Sequence, residues 1–218
     1  MNLGASYFAC EKLARASGSS FYPAFWLLSR SQYRGMCALY AFLRRTDDLV
    51  DGDGLPADKY AALRGWRAAL GEALGGEHRP PLLPALVDAV RRFKIPPEYL
   101  HAAIDGAEMD IAPARFETFE HLSGYCYRAA SVVGLCCLRI WECESVAAQR
   151  MAHAAGLAFQ LTNILRDLGE DLGRGRVYLP REDTERFTCP PERWAEGGAD
   201  LTRLLGFQIA RAREWYRE

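Results

Sequence analysis

Two groups of polar side chains repeat at helical spacing and are the residues of this chain best suited to hold metal ions. Asp47 and Asp51 are four positions apart, which places them on one face of a helix, about 6 Å apart along its axis. Much further along the chain, Asn163, Asp167 and Asp171 repeat the same spacing. Carboxylate and amide oxygens are hard ligands that suit Mg²⁺. Two such groups facing each other predict a site for several Mg²⁺ ions and, through them, a diphosphate.

Arginines lie beside both groups and supply the positive charge that a diphosphate needs. Arg44 and Arg45 precede the first group, Arg166 lies inside the second, and three more follow it, at Arg174, Arg176 and Arg181. The guanidinium presents a fixed fork of donors that matches phosphate oxygens. Each arginine taken alone is equally compatible with a surface ion pair. Their clustering beside both acidic groups favours phosphate binding.

A solvated helix face is the ordinary explanation of two acids four residues apart, and the first group alone does not exclude it. The second group differs, because its neighbours are apolar: Phe159, Ile164, Leu165 and Leu168. Carboxylates on a largely buried helix are costly unless they are paired, coordinated or line a cavity. Two such groups on apolar-rich helices therefore favour a functional site.

The elements that carry these groups are predicted to be helices, since apolar residues recur at three- and four-residue spacing through most of the chain. The predicted helices are 3–16, 31–51, 57–74 (ended by Gly75-Gly76 and Pro80-Pro81), 82–93, one starting at Pro96-Pro97, 119–141 and 145–172. Residues 174–199, rich in Gly, Pro and charge, are predicted to form a loop. Asp200 is expected to cap a last helix that still runs at Glu218, which predicts that final C-terminal helices are lacking.

Composition excludes several classes of protein. The 218 residues are 50% hydrophobic and 25% charged, with a net charge of −1, which is typical of a globular domain and gives no broad field for nucleic acid. We expect a single domain over 1–218. The seven cysteines include no C-x-x-C pair, which indicates free thiols in a reducing compartment. Neither a signal peptide nor a membrane span is evident, so the predicted location is the cytoplasm.

Five segments, in this order, resemble the squalene/phytoene synthase family: 18–21 (GSSF), 38–51 (ALYAFLRRTDDLVD), 125–134 (YCYRAASVVG), 163–171 and 176–180 (RVYLP). The resemblance implies an all-α class I isoprenoid synthase fold, with helices around a central apolar cavity and the acidic motifs on opposite walls. It also implies a prenyltransferase that joins two allylic prenyl diphosphates head to head. A cyclopropylcarbinyl diphosphate forms first and then rearranges to a linear C30 or C40 product.

The resemblance assigns roles to individual residues. The expected metal ligands are Asp47, Asp51, Asn163, Asp167 and Asp171, with Asp48 a weaker candidate. The expected substrate-binding residues are Ser20, Phe21, Arg44, Gln160, Arg166, Arg176 and Tyr178. The expected catalytic residues are Tyr40, Arg44, Asp47, Tyr125 and Asp167, with the two tyrosines near the reacting carbons. Gly18 stands where many members of that family carry a serine, which is a departure from the family pattern.

The motifs are most similar to bacterial presqualene diphosphate and squalene synthases, which implies farnesyl diphosphate as donor and Mg²⁺ as cofactor. The alternative that the chain is a phytoene synthase using geranylgeranyl diphosphate stays open. The length of the donor depends on the depth of the cavity, which the spacing of residues in the sequence does not reveal. A role for NADPH also stays open, since no G-x-G-x-x-G is present. The apolar product makes peripheral association with the inner face of the membrane a further alternative.

Two other classes of protein remain. A non-catalytic relative acting as an assembly factor would be expected to lose the motif aspartates, which this chain keeps. A helical di-iron protein would need Glu-x-x-His pairs on two helices, and the sequence does not contain two such pairs.

Overall fold

Helices make up the regular structure, as the apolar spacing predicts. The computed structural model describes residues 2–51, 54–77, 81–112 and 115–218; Pro80 of the predicted helix break lies outside these ranges. In them no strand is formed, and one isolated β-bridge joins Arg115 to Val177. The α-helices are α1 (Leu3–Ala16), α2 (Arg30–Asp48), α3 (Pro56–Leu74), α4 (Leu83–Phe93), α5 (Pro97–Met109), α6 (Phe119–Cys126), α7 (Val132–Ile140), α8 (Val146–Arg166), α9 (Leu168–Gly173), α10 (Arg181–Arg186) and α11 (Ala199–Trp215).

The first half of the chain packs around α2. Ser29 caps this helix through a capping box with Gln32, and α1, α4 and α7 pack against its apolar face. Phe42 is fully buried and stacks on Trp66 of α3, with ring centroids 5.7 Å apart. The predicted end at Asp51 is wrong, because α2 ends at Asp48 in a tightened turn. There the amides of Val50 and Asp51 both donate to the Asp47 carbonyl.

The second half forms another apolar cluster. Leu122, Leu157 and Leu204 meet there, so α6, α8 and α11 share one core. The predicted loop over 174–199 is wrong in part, since it contains α10 and a 3-10 helix over Pro191–Glu196. The segment forms regular structure because Trp194 is buried in this core, where its indole N–H donates to the Cys189 carbonyl at 3.0 Å.

Helix α11 begins and ends at different residues from those predicted. Gly198, with a φ of 112°, is the N-cap, while Asp200 lies in the first turn and pairs with Arg203. The helix ends at Trp215 rather than continuing to Glu218.

The predicted helix 119–141 contains a π-helical segment, Tyr127–Ser131, between α6 and α7. Helices on two sides approach the backbone of this segment at glycines. A Cβ at Gly106 of α5 would lie 3.0 Å from the Arg128 carbonyl carbon, and one at Gly156 of α8 would lie 2.5 Å from the Ser131 Cα. Such π segments are rare in proteins, and those that do occur are often at functional sites. The two glycines let α5 and α8 approach the segment, which begins two residues after Tyr125.

The predicted helix 145–172 is interrupted at Asp167, whose φ of −97° and ψ of 9° depart from helical values. The i to i−4 hydrogen bonds nevertheless persist across the break. The Asp167 amide donates to the Asn163 carbonyl, and the Asp171 amide donates to the Asp167 carbonyl, both at 2.9 Å. The break therefore redirects the chain into α9 while keeping the second acidic group at successive turns.

Candidate active site

The first acidic group comprises Asp47, Asp48 and Asp51, at the C-terminal end of α2. Asp47 is reached by water, yet the protein around it desolvates the carboxylate. That desolvation, together with the negative charge of Asp51, raises the pKa of Asp47 to about 7. Asp48 is oriented differently, because it pairs with Arg44 at 2.9 Å on the next turn back. The predicted metal ligands Asp47 and Asp51 are thus together, and Asp48 is tied to an arginine.

The second acidic group comprises Asn163, Asp167 and Asp171, across the junction of α8 and α9. Arg166 holds the Asp167 carboxylate in a bidentate pair, with nitrogen–oxygen distances of 2.7 and 2.6 Å. The hydrogen bonds from Arg166 lower the pKa of Asp167. Desolvation raises the pKa of Asp171, and the positive charge of Arg176 opposes that rise. The predicted metal ligand Asp167 and the predicted diphosphate contact Arg166 are therefore paired with each other.

Asp110, the C-cap of α5, is influenced by charges from both acidic regions, Asp51 in the first and Arg176 beside the second. Tyr178 donates to one of its carboxylate oxygens at 2.7 Å, and Tyr125 donates to the other at 3.2 Å. Burial raises the pKa of Asp110, the two tyrosines lower it, and the charges of Arg176 and Asp51 also act on it. We call Asp110, Tyr125 and Tyr178 the Asp110 cluster. It connects the first acidic group, through Asp51, to Arg176 and so to the second.

Aromatic rings surround this polar cluster. Tyr125 and Tyr178 are 3% and 6% exposed, and their ring centroids lie 5.3 Å apart. Phe116 packs on both rings, at 5.5 and 6.1 Å. Gln160 donates to the Tyr125 hydroxyl at 3.4 Å. Burial, first, and the charge of Asp110 raise the pKa of Tyr125 far above its usual value, so this phenol stays protonated at neutral pH.

The structure brings together the predicted residues Asp47, Asp51, Tyr125, Gln160, Asp171, Arg176 and Tyr178. For three other predicted residues the structure shows different surroundings. Tyr40 packs edge-on against buried Phe25, with centroids 6.4 Å apart. Ser20 and Phe21 are exposed beside the 3-10 helix Tyr22–Leu27, and Phe21 keeps 68% of its surface.

The oxygen donors fit Mg²⁺ in a particular way. Among the described residues no three His, Cys, Asp or Glu side chains lie close enough together to hold one metal ion. Magnesium rarely uses an all-protein cage and is bound by one or two carboxylates together with substrate phosphates and water. Asp47 with Asp51, and Asp167 with Asp171, are pairs of that kind. The donor set therefore suits Mg²⁺ that arrives with a diphosphate.

Asp110 is the residue of the site that the sequence did not reveal. It has no acid four residues before or after it, so the spacing that exposed the other carboxylates could not find it. Asp110 is recognised as part of the site only in the folded chain, where the Arg115–Val177 bridge lies next to Tyr178 and the Tyr178 hydroxyl donates to the Asp110 carboxylate.

Comparison with known proteins decides the family. The family model described as squalene/phytoene synthase matches residues 14–218. The chain belongs to the squalene/phytoene synthase family. Its members are prenyltransferases, and the predicted family and all-α fold are confirmed.

The individual relatives include phytoene, squalene and dehydrosqualene synthases. The phytoene synthase of Mycobacterium tuberculosis is 37% identical over 216 residues, covering 97% of this chain and 71% of that protein. The 15-cis-phytoene synthase of Synechococcus elongatus is 33% identical over 231 residues, covering 100% of this chain and 75% of that protein. The structure of squalene synthase HpnC from Alicyclobacillus acidocaldarius superposes with a TM-score of 0.90 at 27% identity, over 99% of this chain and 82% of that one. A dehydrosqualene synthase superposes with a TM-score of 0.84 at 30% identity, over 99% and 76%.

Proposed function

We propose that this member of the squalene/phytoene synthase family condenses two molecules of farnesyl diphosphate head to head, in the presence of Mg²⁺, to a cyclopropylcarbinyl diphosphate. The observation that carries the proposal is the Asp110 cluster and the charges that act on it. The charge of Asp51, in the first acidic group, acts on Asp110, and so does that of Arg176, which also acts on Asp171 in the second group. Two acidic groups that share buried aromatic rings suit a reaction in which a diphosphate leaves and a carbocation forms.

The charged residues would bind the diphosphate end of each substrate. Mg²⁺, held by Asp47, Asp51, Asn163, Asp167 and Asp171, would supply neutralisation of the charge on the departing diphosphate. Arg176 already lies where it acts on both Asp110 and Asp171. Arg44 and Arg166, now paired with Asp48 and Asp167, carry guanidinium donors that match phosphate oxygens.

The Asp110 cluster would act on the allylic part of the substrate. Tyr125 stays protonated, so it serves as an oriented dipole and an electron-rich ring rather than as a base. Asp110 and Gln160 fix its hydroxyl from two sides. Phe116 and Tyr178 add ring faces, and together these rings exclude the water that would quench a carbocation.

Geranylgeranyl diphosphate is the second candidate donor. It is favoured by the sequence relatives, which are named phytoene synthases at 33–37% identity, whereas the squalene-type structures favour farnesyl diphosphate. The seven free thiols support a cytoplasmic location. In the described part of the chain no helix is both long and apolar enough to cross a bilayer.

The proposal is tested by incubating the protein with Mg²⁺ and either donor, with and without NADPH, and by separating the products by chromatography. A C30 product from farnesyl diphosphate that disappears with a chelator supports the first candidate, and a C40 product supports the second. Asp47→Ala and Asp167→Ala are expected to abolish turnover while the far-ultraviolet circular dichroism stays that of the parent. Absence of product from either donor in a folded protein would refute the enzyme assignment.

A further inference from the structure

A cleft separate from the candidate active site lies where α1, α2 and α4 meet. It has a volume of about 510 Å³ and is lined by Tyr7, Arg30, Ser31, Arg34, Asp88 and Arg92. The three helices pack on one another around the first apolar core, which fixes the walls of the cleft. Arg30 and Asp47 are 17 positions apart on α2, which is about 25 Å at the helical rise. The cleft therefore does not bind the reacting diphosphates.

Tyr7 and Asp88 form the base of the cleft. Tyr7 is 6% exposed, and its hydroxyl donates to the Asp88 carboxylate at 2.7 Å. The guanidinium carbon of Arg34 lies 5.2 Å from the centroid of the Tyr7 ring, and Arg34 pairs with Glu11 of α1 at 3.4 Å. Burial and the hydrogen bond to Asp88 raise the pKa of Tyr7, while the charges of Arg34 and Arg92 oppose that rise. Both guanidinium groups are therefore close to this hydroxyl.

Two of the three arginines in the cleft have no ion-pair partner among the described residues. These are Arg30 and Arg92. Asp88 is one helical turn before Arg92, but its carboxylate accepts from Tyr7 instead. Like charges four positions apart on a helix, as at Arg30 and Arg34, repel each other. An anion bound between the guanidinium groups would remove this repulsion.

The cleft also contains groups that recognise hydroxyls. Asp88 uses one carboxylate oxygen for Tyr7, and its other oxygen is an acceptor for a ligand. The Ser31 hydroxyl, 3.2 Å from the Ser29 hydroxyl, both donates and accepts. A carboxylate repels a bare phosphate ion but accepts hydrogen bonds from an alcohol. The volume of the cleft is also typical of sites for small organic molecules, about 300–1,000 Å³. The lining therefore suits a phosphate attached to a hydroxylated carbon skeleton.

We propose that this cleft binds a small soluble sugar phosphate, with Arg30 and Arg92 on the phosphate and with Asp88 and Ser31 on the sugar hydroxyls. A phosphate ester carries about −1.5 to −2 charges at neutral pH, which matches two unpaired guanidinium groups. The donors of arginine form a fork that fits phosphate oxygens. The inference does not rest on the proposed function, because the cleft and the first acidic group lie at opposite ends of α2.

Isothermal titration calorimetry of the full chain tests the inference without Mg²⁺ or prenyl diphosphate, so its failure is distinct from failure of the proposed function. The titrants are ribose 5-phosphate, glucose 6-phosphate, ribose and inorganic phosphate. We expect a Kd below about 1 mM for at least one sugar phosphate, binding of inorganic phosphate that is weaker by about tenfold or more, and no binding of ribose. Binding of neither sugar phosphate, or binding of inorganic phosphate as tight as that of the sugar phosphates, would overturn the proposal.

Variants locate the binding site. Arg30→Gln with Arg92→Gln is expected to weaken binding of the sugar phosphate and of inorganic phosphate, each by about tenfold or more. The matched control, Arg193→Gln with Arg203→Gln, removes the same charge from two exposed arginines and should bind like the parent. Circular dichroism verifies the fold of each variant. Parent-like affinity in the Arg30 and Arg92 double variant would place the ligand elsewhere, the active-site arginines included, and would overturn the proposal.

Asp88→Asn tests the recognition of the sugar separately. The amide oxygen still accepts from Tyr7, so the fold is kept, while the negative charge is lost. We expect inorganic phosphate to bind more tightly and the preference for the sugar phosphate over inorganic phosphate to fall by about tenfold. An unchanged preference would show that Asp88 does not bind the sugar, which contradicts the assignment of a sugar phosphate.

Discussion

The contact between Gly156 and the π segment gives the most sharply defined prediction of stability. An alanine Cβ at this position would lie 2.5 Å from the Ser131 Cα and 2.6 Å from its backbone nitrogen. Ordinary contacts of a Cβ begin near 3.4 Å, so α8 and the π segment must separate by about 1 Å, since backbone atoms cannot rotate away as a side chain does. The shift also strains the hydrogen bond from the Ser131 hydroxyl to the His153 carbonyl, now 3.0 Å long.

Gly156→Ala is therefore expected to lower the free energy of unfolding by about 3 kcal/mol, the upper end of the range for overpacking. For a chain of this length that corresponds to a fall in Tm of roughly 6–12 °C. Turnover should fall as well, because the displaced segment directly follows Tyr125 and Cys126.

The matched control is Gly71→Ala in α3, where an added Cβ has no atom within 4 Å. Alanine in an exposed helix is more stable than glycine by roughly 0.5–1 kcal/mol, so this variant should have a Tm equal to or slightly above that of the parent. Differential scanning calorimetry measures both. A Gly156→Ala protein with the Tm of the parent, or equal losses in the two variants, would refute the close packing of α8 on the π segment.

Three further predictions concern single side chains. Asp110→Asn keeps the volume of the side chain but removes a charged acceptor for two tyrosines, so kcat/KM should fall at least tenfold with normal circular dichroism; an unchanged rate would remove Asp110 from the site. Arg211→Leu leaves the buried Asp183 without its ion pair. The free energy of unfolding, measured by denaturant titration, should fall by about 3–5 kcal/mol. A loss below about 1 kcal/mol would contradict the importance of that pair. Cys137 and Cys143 are the partly exposed thiols of the described residues, but burial raises the pKa of Cys137 to about 12. Native labelling at pH 8 should therefore show one fast thiol, Cys143, and a fast phase that survives Cys143→Ser would be contrary to expectation.

Much of the fold was predictable because a helix is formed by residues that are close together in the sequence, so its apolar spacing can be found there. The predicted helix 3–16 coincides with α1, and α3 and α4 differ from prediction by one residue at their starts. The acidic spacings also predicted which carboxylates share a turn, because hydrogen bonds from residue i to i−4 hold even where α2 ends and where α8 breaks at Asp167.

Features that depend on packing were not predictable from the sequence. The π segment needs close approach by Gly106 and Gly156, which are 50 residues apart in the chain. Asp110 becomes part of the site only through Tyr178, 68 residues away. The order in 174–199 follows from burying Trp194 in the second core. Each of these depends on a partner distant in sequence, which periodicity cannot reveal.

The stoichiometry of diphosphate release tests the central claim most directly. With farnesyl diphosphate and Mg²⁺ but no reductant, condensation to the cyclopropylcarbinyl stage joins two donors and releases one diphosphate. We therefore predict one diphosphate released for every two farnesyl diphosphates consumed, together with a C30 diphosphate detected by mass spectrometry. One diphosphate released for each farnesyl diphosphate, with farnesol as the only organic product, would show that the site merely ionises its substrate and would contradict head-to-head condensation.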